Sequence, residues 1–394
     1  MRKHLSTPIL VLLHAVAAAA QTPATAPASG SAPVESRSRV EIVEVPDAGI
    51  QPQAVVDGEG TIHLLYFKGT PGGGDLFYVR RRAGAGSFSS PIAVNSEPGT
   101  AIATGSVRGG QIALGRTGWI HVAWNGSKAV DREDGKFTPM WYSRLPPGGS
   151  RFASQRAIGA HTRHLDGGGS IAADRHGKVH VVWHAAGPVD GETHRRIYVA
   201  TSSNDGASFA AEKAFPLEDG ACGCCGVEAL ATASGAVHLL YRSAGAMIHR
   251  DAMWMTIGPQ GASPPARLQA WELPACPMTT FAMAAGADGI VAAWETQQQI
   301  YSAVLNSARK EVSTVVPMPG AGVRKHPSVA INARGDRLIA WTEGTAWARG
   351  GSVAWQLQDR GGRTLASGSN AGSVPVWGLV SVVARPDGSF LVFH

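Results

Sequence analysis

The chain has 394 residues, of which 44% are hydrophobic and 16% are charged, and its formal net charge is +6. This positive surplus is too small and too scattered to indicate a nucleic-acid-binding protein. Because no stretch of about 18 residues or more stays apolar, we expect no membrane span.

The N-terminal residues predict export. A basic start at Arg2 and Lys3 precedes a short apolar stretch, 8–16, and a small-residue cleavage site at 18–20. We therefore predict a signal peptide over residues 1–20 and a periplasmic or secreted protein, whose net charge falls to about +4 after cleavage. Residues 21–38 are rich in Ala, Pro and Ser and are expected to form a disordered leader.

The rest of the chain repeats a phrase in which a glycine turn precedes a β-rich run that ends in an aromatic residue. Its seven copies cover 60–66, 118–124, 177–183, 235–241, 289–294, 335–341 and 388–393. Successive copies start 46–59 residues apart, which is the period of a propeller blade. We predict an all-β, seven-bladed β-propeller of four-stranded blades that forms one domain over residues 39–394, with six blades as the alternative.

The seventh repeat is incomplete, which predicts how the ring closes. It offers a first strand at Leu379–Ala384 and a second at Phe390–Phe393, after which the sequence stops. A further strand is available at the other end, in Val40–Val45. Pairing these segments would protect two sheet edges, so we expect the N- and C-terminal strands to share one blade.

Most of the unusual residues fall on loops that a propeller places around one mouth of its axis. An ionisable or amide residue directly follows the strand-two aromatic in four repeats, as Asn125, His184, Arg242 and Glu295, and stands one residue later in a fifth, as Glu343. Such residues could simply be the first exposed positions after each strand, or they could outline a polar funnel. The candidate ligand-binding residues on these loops are Arg108, His184, His249, Arg250, Arg324, His326, Trp347 and Arg349.

This composition suits an anionic or sugar-like ligand, because guanidinium groups match carboxylates and Trp faces suit the apolar faces of sugars. A structural channel that is plugged by ion pairs is the alternative. We expect Arg250, Arg324 and Arg349 to point into one funnel and to pair with nearby carboxylates.

All four cysteines, Cys222, Cys224, Cys225 and Cys276, fall on the same loops. An even number in an exported chain favours disulfides, most simply Cys276 with one of the other three, although Cys224 and Cys225 could also pair. The alternative is a soft metal ion such as Cu(I) or Zn(II), with Met278 and His249 nearby. No cofactor is required by the sequence.

Residues 202–209 read Ser-Ser-Asn-Asp-Gly-Ala-Ser-Phe, which resembles the Asp-box S-x-D-x-G-x-x-[F/W] of sialidase-like β-propellers. Ser202, Gly206 and Phe209 match this motif, whereas Asn204 replaces its Asp. The cysteine phrase and Arg324-Lys325-His326-Pro327 resemble a bacterial exported group that is labelled exo-α-sialidase. Sialidases use an arginine triad, an acidic proton donor and a Tyr nucleophile. The early Arg-Ile-Pro motif of that family is missing here, and no motif assigns a nucleophile to Tyr301.

Three hypotheses follow for a chain that we expect to be monomeric. The first is a glycoside hydrolase or lyase for an acidic sugar, with Asp166, Asp251, Glu295 or Glu343 as the catalytic acid or base. The second is a non-catalytic glycan- or protein-binding propeller, which is favoured if these carboxylates are all paired. The third is a metal or redox site, which is favoured if the four sulfurs converge.

Overall fold

A computed structural model describes residues 39–127 and 138–394. The predicted signal peptide and leader lie outside the described residues, which belong to a unit spanning 38–394. They form 29 strands and short 3-10 helices at Pro46–Ala48, Arg116–Gly118 and Glu192–His194. No helix in this part of the chain is long and apolar enough to cross a bilayer.

The strands form seven sheets, and neighbouring strands within each of the first six blades are antiparallel. Blades 1 to 3 contain β2 (Ile50–Val56), β3 (Ile62–Thr70), β4 (Gly73–Arg81) and β5 (Ile92–Ala93); β6 (Gln111–Leu114), β7 (Ile120–Asn125), β8 (Met140–Leu145) and β9 (Arg156–Ala157); and β10 (Ser170–Ala173), β11 (Val179–Ala185), β12 (Arg196–Ser202) and β13 (Lys213–Pro216).

In blades 4 and 5 the outer strand is split into two short pieces. Blades 4 to 6 contain β14 (Glu228–Ala231), β15 (Val237–Arg242), β16 (Ala252–Gly258), β17 (Gly261–Ala262) and β18 (Ala266–Gln269); β19 (Phe281–Gly286), β20 (Gly289–Thr296), β21 (Gln299–Asn306), β22 (Glu311–Val312) and β23 (Val316–Pro317); and β24 (Arg324–Ile331), β25 (Arg337–Glu343), β26 (Gly351–Gln358) and β27 (Thr364–Val374).

Blade 7 joins the two ends of the described chain, as predicted. It contains β28 (Ser381–Ala384), β29 (Phe390–Phe393) and β1 (Val40–Val43). The β1–β29 pair is parallel, with Val40 opposite Phe390, so this blade departs from a fully antiparallel sheet. The reason is that β1 leads directly into the first strand of blade 1. β1 must therefore end at the axial mouth, as the fourth strand of the other blades does. Its neighbour in the sheet is nevertheless β29, the second strand of blade 7.

The first strands of the seven blades contact one another in a closed ring, which confirms the seven-bladed propeller. Apolar side chains fill each of the seven interfaces between neighbouring blades. The aromatic residue that ends each copy of the repeated phrase lies in a second strand and is buried there: Tyr66, Trp124, Trp183, Tyr241, Trp294, Trp341 and Phe393. The repeated phrase therefore exists because each blade must present one large apolar side chain to a neighbouring blade.

The turn after β12 has the geometry that its sequence predicts. Ser202 Oγ accepts hydrogen bonds from the backbone N–H groups of Asn204 (3.2 Å) and Gly206 (2.9 Å). Gly206 has a φ of +71°, which suits glycine. The Phe209 ring packs edge-on against Tyr142 of blade 2, with centroids 4.9 Å apart. The turn therefore closes a blade and fastens it to its neighbour.

Candidate functional site

The residues that follow the strand-two aromatics connect neighbouring blades. Four of them, Asn125, His184, Arg242 and Glu295, are almost fully buried instead of outlining an open funnel. Three of them contact the loop that enters the next blade: Asn125 Nδ2 donates to Gly167 O (2.8 Å), His184 Nε2 to Cys225 O (2.8 Å) and Arg242 Nε to Thr279 Oγ1 (2.8 Å). Glu295 contacts the first strand of the next blade, where Lys325 Nζ lies 3.4 Å from its Oε2. Through these contacts, the residues that follow the aromatics hold the mouth loops in place.

The loop entering blade 4 brings three sulfurs together. The Sγ of Cys222 lies 3.0 Å from that of Cys225 and 3.5 Å from that of Cys224. All three cysteines are buried, and Met278 packs against them. All four cysteines of the chain are free, and Cys276 is exposed and outside this cluster. The predicted disulfide to Cys276 is therefore not formed, and the sulfurs that converge are three, not four.

Arginines surround the three-cysteine cluster. The side chain of Arg195 is buried and donates through Nε to His184 Nδ1 (3.1 Å), so the neutral His184 ring carries its proton on Nε2. Arg250 Nη1 lies 2.7 Å from Glu192 Oε2. Burial opposes ionisation of Cys225, but its hydrogen bonds with the other two cysteines and the nearby Arg242 charge bring its pKa well below the usual range.

The predicted catalytic carboxylates are all engaged by other groups. Asp166 lies 3.6 Å from Arg108, and Asp251 accepts from the Trp271 N–H (2.9 Å) and lies 3.5 Å from Arg267. Glu343 lies 2.8 Å from Arg324. Glu295 faces Lys325, and burial raises its pKa to about 7 despite that cation. Of the three arginines that were expected to pair with these carboxylates, only Arg324 does so, with Glu343, whereas Arg250 pairs with Glu192.

The three arginines that were expected to converge do not share one cavity. Arg250 holds Glu192, as described above. Arg324 is buried, stacks 5.1 Å from the Trp341 ring centroid and donates to the carbonyl of Pro319 (2.7 Å), so it supports the interface between blades. Only Arg349 of the three lines the cavity that contains Trp347.

Two predicted ligand-binding residues meet Arg349 in a cavity of about 270 Å³, which we call the Trp cavity. Its wall includes Lys325, His326, Trp347, Arg349 and Trp377. Trp347 is 61% exposed, and its ring meets that of Trp377 edge-on, with centroids 4.8 Å apart at 82°. Burial lowers the pKa of His326 to about 3, so this ring is neutral. The cavity therefore combines an aromatic surface with cations.

A second cavity of about 590 Å³, the Asp166 cavity, lies between the mouth loops of blades 2 to 4. Asp166, Arg108, Glu192 and Arg195 line it, and the Asp166 side chain is 56% exposed. His249, also a candidate, lies outside both cavity walls, with Nδ1 3.9 Å from Glu272. Glu192 and Arg195 were not identified from the sequence, since their loop carries no feature that distinguishes them from surface residues.

The axial channel contains a carboxyl group that sequence reasoning missed. The channel has a volume of about 280 Å³ and is lined by the first strands of all seven blades. Glu228, the first residue of β14, lies there, and burial raises its pKa to about 8 against an opposing hydrogen bond from Ser170. An acidic residue within an otherwise apolar first strand was the signal that could have found it.

Neither a protein-family model nor a curated protein sequence matches this chain. A protein of unknown function from Dyadobacter fermentans has a similar structure, with a TM-score of 0.52 and 14% identity over 82% of this chain and 93% of that one. A weaker similarity is to a Hadza microbial sialidase, with a TM-score of 0.48 and 8% identity over 81% of this chain and 73% of that one. Another is to the fucose-specific lectin of Aleuria aurantia, with a TM-score of 0.49 and 10% identity over 83% of this chain and 97% of that one.

At such low identities these similarities bear on the fold alone. The class that the structure defines is a seven-bladed β-propeller with two cavities at one mouth and a three-cysteine cluster beside them. What the protein does must be inferred from its own residues.

Proposed function

We propose that this protein is a non-catalytic propeller that binds an acidic sugar, or a similar anionic ring-shaped ligand, in the Trp cavity. One observation carries the proposal: the exposed Trp347 ring lies beside Arg349, and no carboxylate among the described residues pairs with that guanidinium.

The unpaired charge of Arg349 supports an anionic ligand. Its Nε donates to the carbonyl of Gly344 (2.8 Å), which orients the guanidinium and leaves its two Nη groups for other acceptors. A planar guanidinium can bind a carboxylate or sulfate through two parallel hydrogen bonds. Lys325 contributes less, because Glu295 offsets its charge.

The exposed Trp347 supports a ligand with an apolar face. Large aromatic side chains usually gain stability by burial, and an exposed one at a cavity often marks a binding surface. Trp377 supports the Trp347 ring from its edge, so one face stays accessible in a fixed orientation. A cavity of about 270 Å³ suits a terminal sugar residue better than a long chain segment.

The arrangement of acidic groups favours binding without hydrolysis. Two-carboxylate glycosidases place both carboxyl groups on either side of the scissile bond. None of Asp166, Asp251, Glu295 and Glu343 is part of the described wall of the Trp cavity. Tyr301, which corresponds to no nucleophile motif, packs in the interface between blades 4 and 5. A bound sugar would therefore meet no positioned acid or nucleophile among these residues.

Calorimetry with oligosaccharides that end in a uronic or sialic acid, beside their neutral counterparts, tests this proposal. We expect the acidic ligands to bind and the neutral ones to bind at least about tenfold more weakly, which corresponds to one charged hydrogen-bond pair. Arg349→Ala and Trp347→Ala should each weaken binding, and Trp347→Phe should restore part of it. Arg363→Ala, which removes an exposed arginine of blade 6, is the matched control.

Equal affinity for acidic and neutral sugars, or unchanged binding by Arg349→Ala, would contradict the anionic-ligand proposal. Release of a reducing sugar from any of these ligands by the wild type, but not by Asp166→Asn, would contradict the absence of catalysis.

Export and a relationship to sialidase-like propellers belong to the same proposal, and rest on residues 1–20 and on the turn at 202–209. Mass spectrometry of the mature protein, recovered outside the cytoplasm, should place its N-terminus near residue 21. Retention of the full-length chain inside the cell would contradict export.

A further inference from the structure

The three-cysteine cluster is held by a tight turn whose backbone contacts leave the thiols pointing to one place. Cys222 N–H donates to the carbonyl of Arg242 (2.8 Å), and Cys225 N–H donates back to the carbonyl of Cys222 (3.3 Å). Gly223 N–H donates to Glu192 Oε1 (2.7 Å), where a Cβ would be 2.9 Å from the same oxygen. In the Cys-Gly-Cys-Cys order, glycine therefore occupies the position where a side chain would crowd Glu192. Cysteines occupy the positions whose side chains turn inward.

The distances between the sulfurs are those of donors around a common point. The Sγ atoms of Cys222, Cys224 and Cys225 all lie within 4.8 Å of one another. Around one ion with metal–sulfur bonds of about 2.3 Å, sulfurs stand about 3.8–4.0 Å apart. The observed separations of 3.0 Å and 3.5 Å need to widen by no more than about 1 Å to admit an ion, which rotation of the side chains supplies.

The donor set selects the kind of ion. No histidine or carboxylate of the described chain joins the three sulfurs, and Met278, a thioether, packs against them. Both ring nitrogens of the nearby His184 are already engaged, by Arg195 and by the carbonyl of Cys225. Soft thiolate and thioether donors bind Cu(I) and Zn(II), but Zn(II) in structural sites requires four good ligands, so three thiolates and one thioether favour Cu(I).

The surrounding charges suit a thiolate complex. Three thiolates and one monovalent ion carry a net charge of −2, which needs cations to offset it in a buried site. Arg195, Arg242 and Arg250 interact electrostatically with the cysteine sulfurs. In addition, Thr279 Oγ1 lies 3.4 Å from Cys225 Sγ, from where its hydroxyl can donate to a thiolate.

We propose that Cys222, Cys224 and Cys225 form a binding site for one Cu(I) ion, with the thioether of Met278 as a weaker additional ligand. Each sulfur binds the ion as a thiolate, any proton that it carries passes to solvent, and no oxidation state changes. Gly223 lies in the wall of the Asp166 cavity, so the ion enters from the mouth of the propeller. Met278 also lines the Trp cavity, so the two sites are adjacent, but none of the three clustered cysteines lines that cavity.

Anaerobic titration of the reduced full-length protein with Cu(I), against a chromophoric Cu(I) chelator, tests the proposal. We expect the protein to withdraw one copper ion per chain from the chelator and to develop the near-ultraviolet absorption of thiolate-to-copper charge transfer. Cys222→Ser and Cys225→Ser should each lose this uptake, and Met278→Leu should weaken it. Cys276→Ser, which removes the exposed cysteine, is the matched control and should retain it.

Alkylation of the wild type gives a readout that does not depend on the folding of variants. With Cu(I) bound, iodoacetamide should modify Cys276 while peptides containing the other three cysteines stay unmodified. Once copper has been removed, mild denaturation should expose these three cysteines to the reagent. The proposal is overturned if the reduced protein withdraws no copper, if Cys276→Ser alone abolishes uptake, or if Zn(II) displaces Cu(I) from the cluster. It is also overturned if the cluster only forms a Cys222–Cys225 disulfide and binds no copper after reduction.

Discussion

Glu228→Gln is expected to stabilise the propeller in a pH-dependent manner. The Glu228 carboxyl lies in the axial channel, and burial raises its pKa from the ordinary 4.5 to about 8. The other ionisable group of the described channel wall is His326, whose pKa burial lowers to about 3, so it offers no compensating charge. Between pH values of 4.5 and about 8 the folded state holds a proton that the unfolded state has lost. Stability that is present below this window is therefore lost as the pH rises through it.

The magnitude follows from the same two values. At about 1.4 kcal/mol for each pKa unit, the difference between 4.5 and about 8 sets an upper bound of about 5 kcal/mol on the loss. The side chain keeps part of its surface open to the channel, where water can hydrate the carboxylate. We therefore expect Glu228→Gln to raise the free energy of unfolding by roughly 1–3 kcal/mol above about pH 8.5 and to leave it nearly unchanged at about pH 5.

Urea unfolding of both proteins at about pH 5 and about pH 9, followed by tryptophan fluorescence, measures this difference. The exposed Glu311 provides the matched control, since Glu311→Gln should not change the free energy of unfolding differently at the two pH values. A Glu228→Gln variant that is equally stabilised at both pH values, or that is destabilised at about pH 9, would contradict a raised pKa of Glu228.

Three further changes test the fold. Deletion of 39–45 removes β1 and the Val45 N–H bond to the carbonyl of His394 (3.0 Å), so the urea midpoint should fall and aggregation should increase, as measured by light scattering. Gly168→Ala places a Cβ against the carbonyl oxygen of Val107 and should lower the melting temperature by several degrees in calorimetry, whereas Gly84→Ser, in open space at a φ of +77°, should cost less. Arg242→Ala removes the buried donor to the carbonyls of Arg250 and Glu295 and should cost at least about 3 kcal/mol in urea unfolding.

The propeller could be predicted from the sequence because its determinants are local. In each repeat a glycine turn precedes an alternating strand, and that strand carries an aromatic residue that must be buried against a neighbouring blade. Trp183 and Trp294 are fully buried in this way. The closing pair of β1 and β29 could also be predicted, since an incomplete last repeat needs a partner. The parallel direction of that pair was missed, because it depends on which mouth β1 leads to and not on its own residues.

The functional residues were harder to predict because burial and pairing are properties of neighbouring blades. Arg242 and Glu295 occupy equivalent places in the repeats and look like exposed mouth residues, yet the next blade covers both. Arg324 and Arg349 were likewise both assigned to mouth loops, and only the structure separates the one that is paired with Glu343 from the one without a carboxylate partner in the described chain.

The most direct test of the proposed function is a crystal structure of the protein with an oligosaccharide that ends in a carboxylate-bearing sugar. We expect the terminal ring to lie on the exposed face of Trp347, with its carboxylate within about 3 Å of the Nη atoms of Arg349. A ligand that instead occupies the Asp166 cavity with its glycosidic bond beside that carboxylate, or that turns its neutral end towards Arg349, would contradict it.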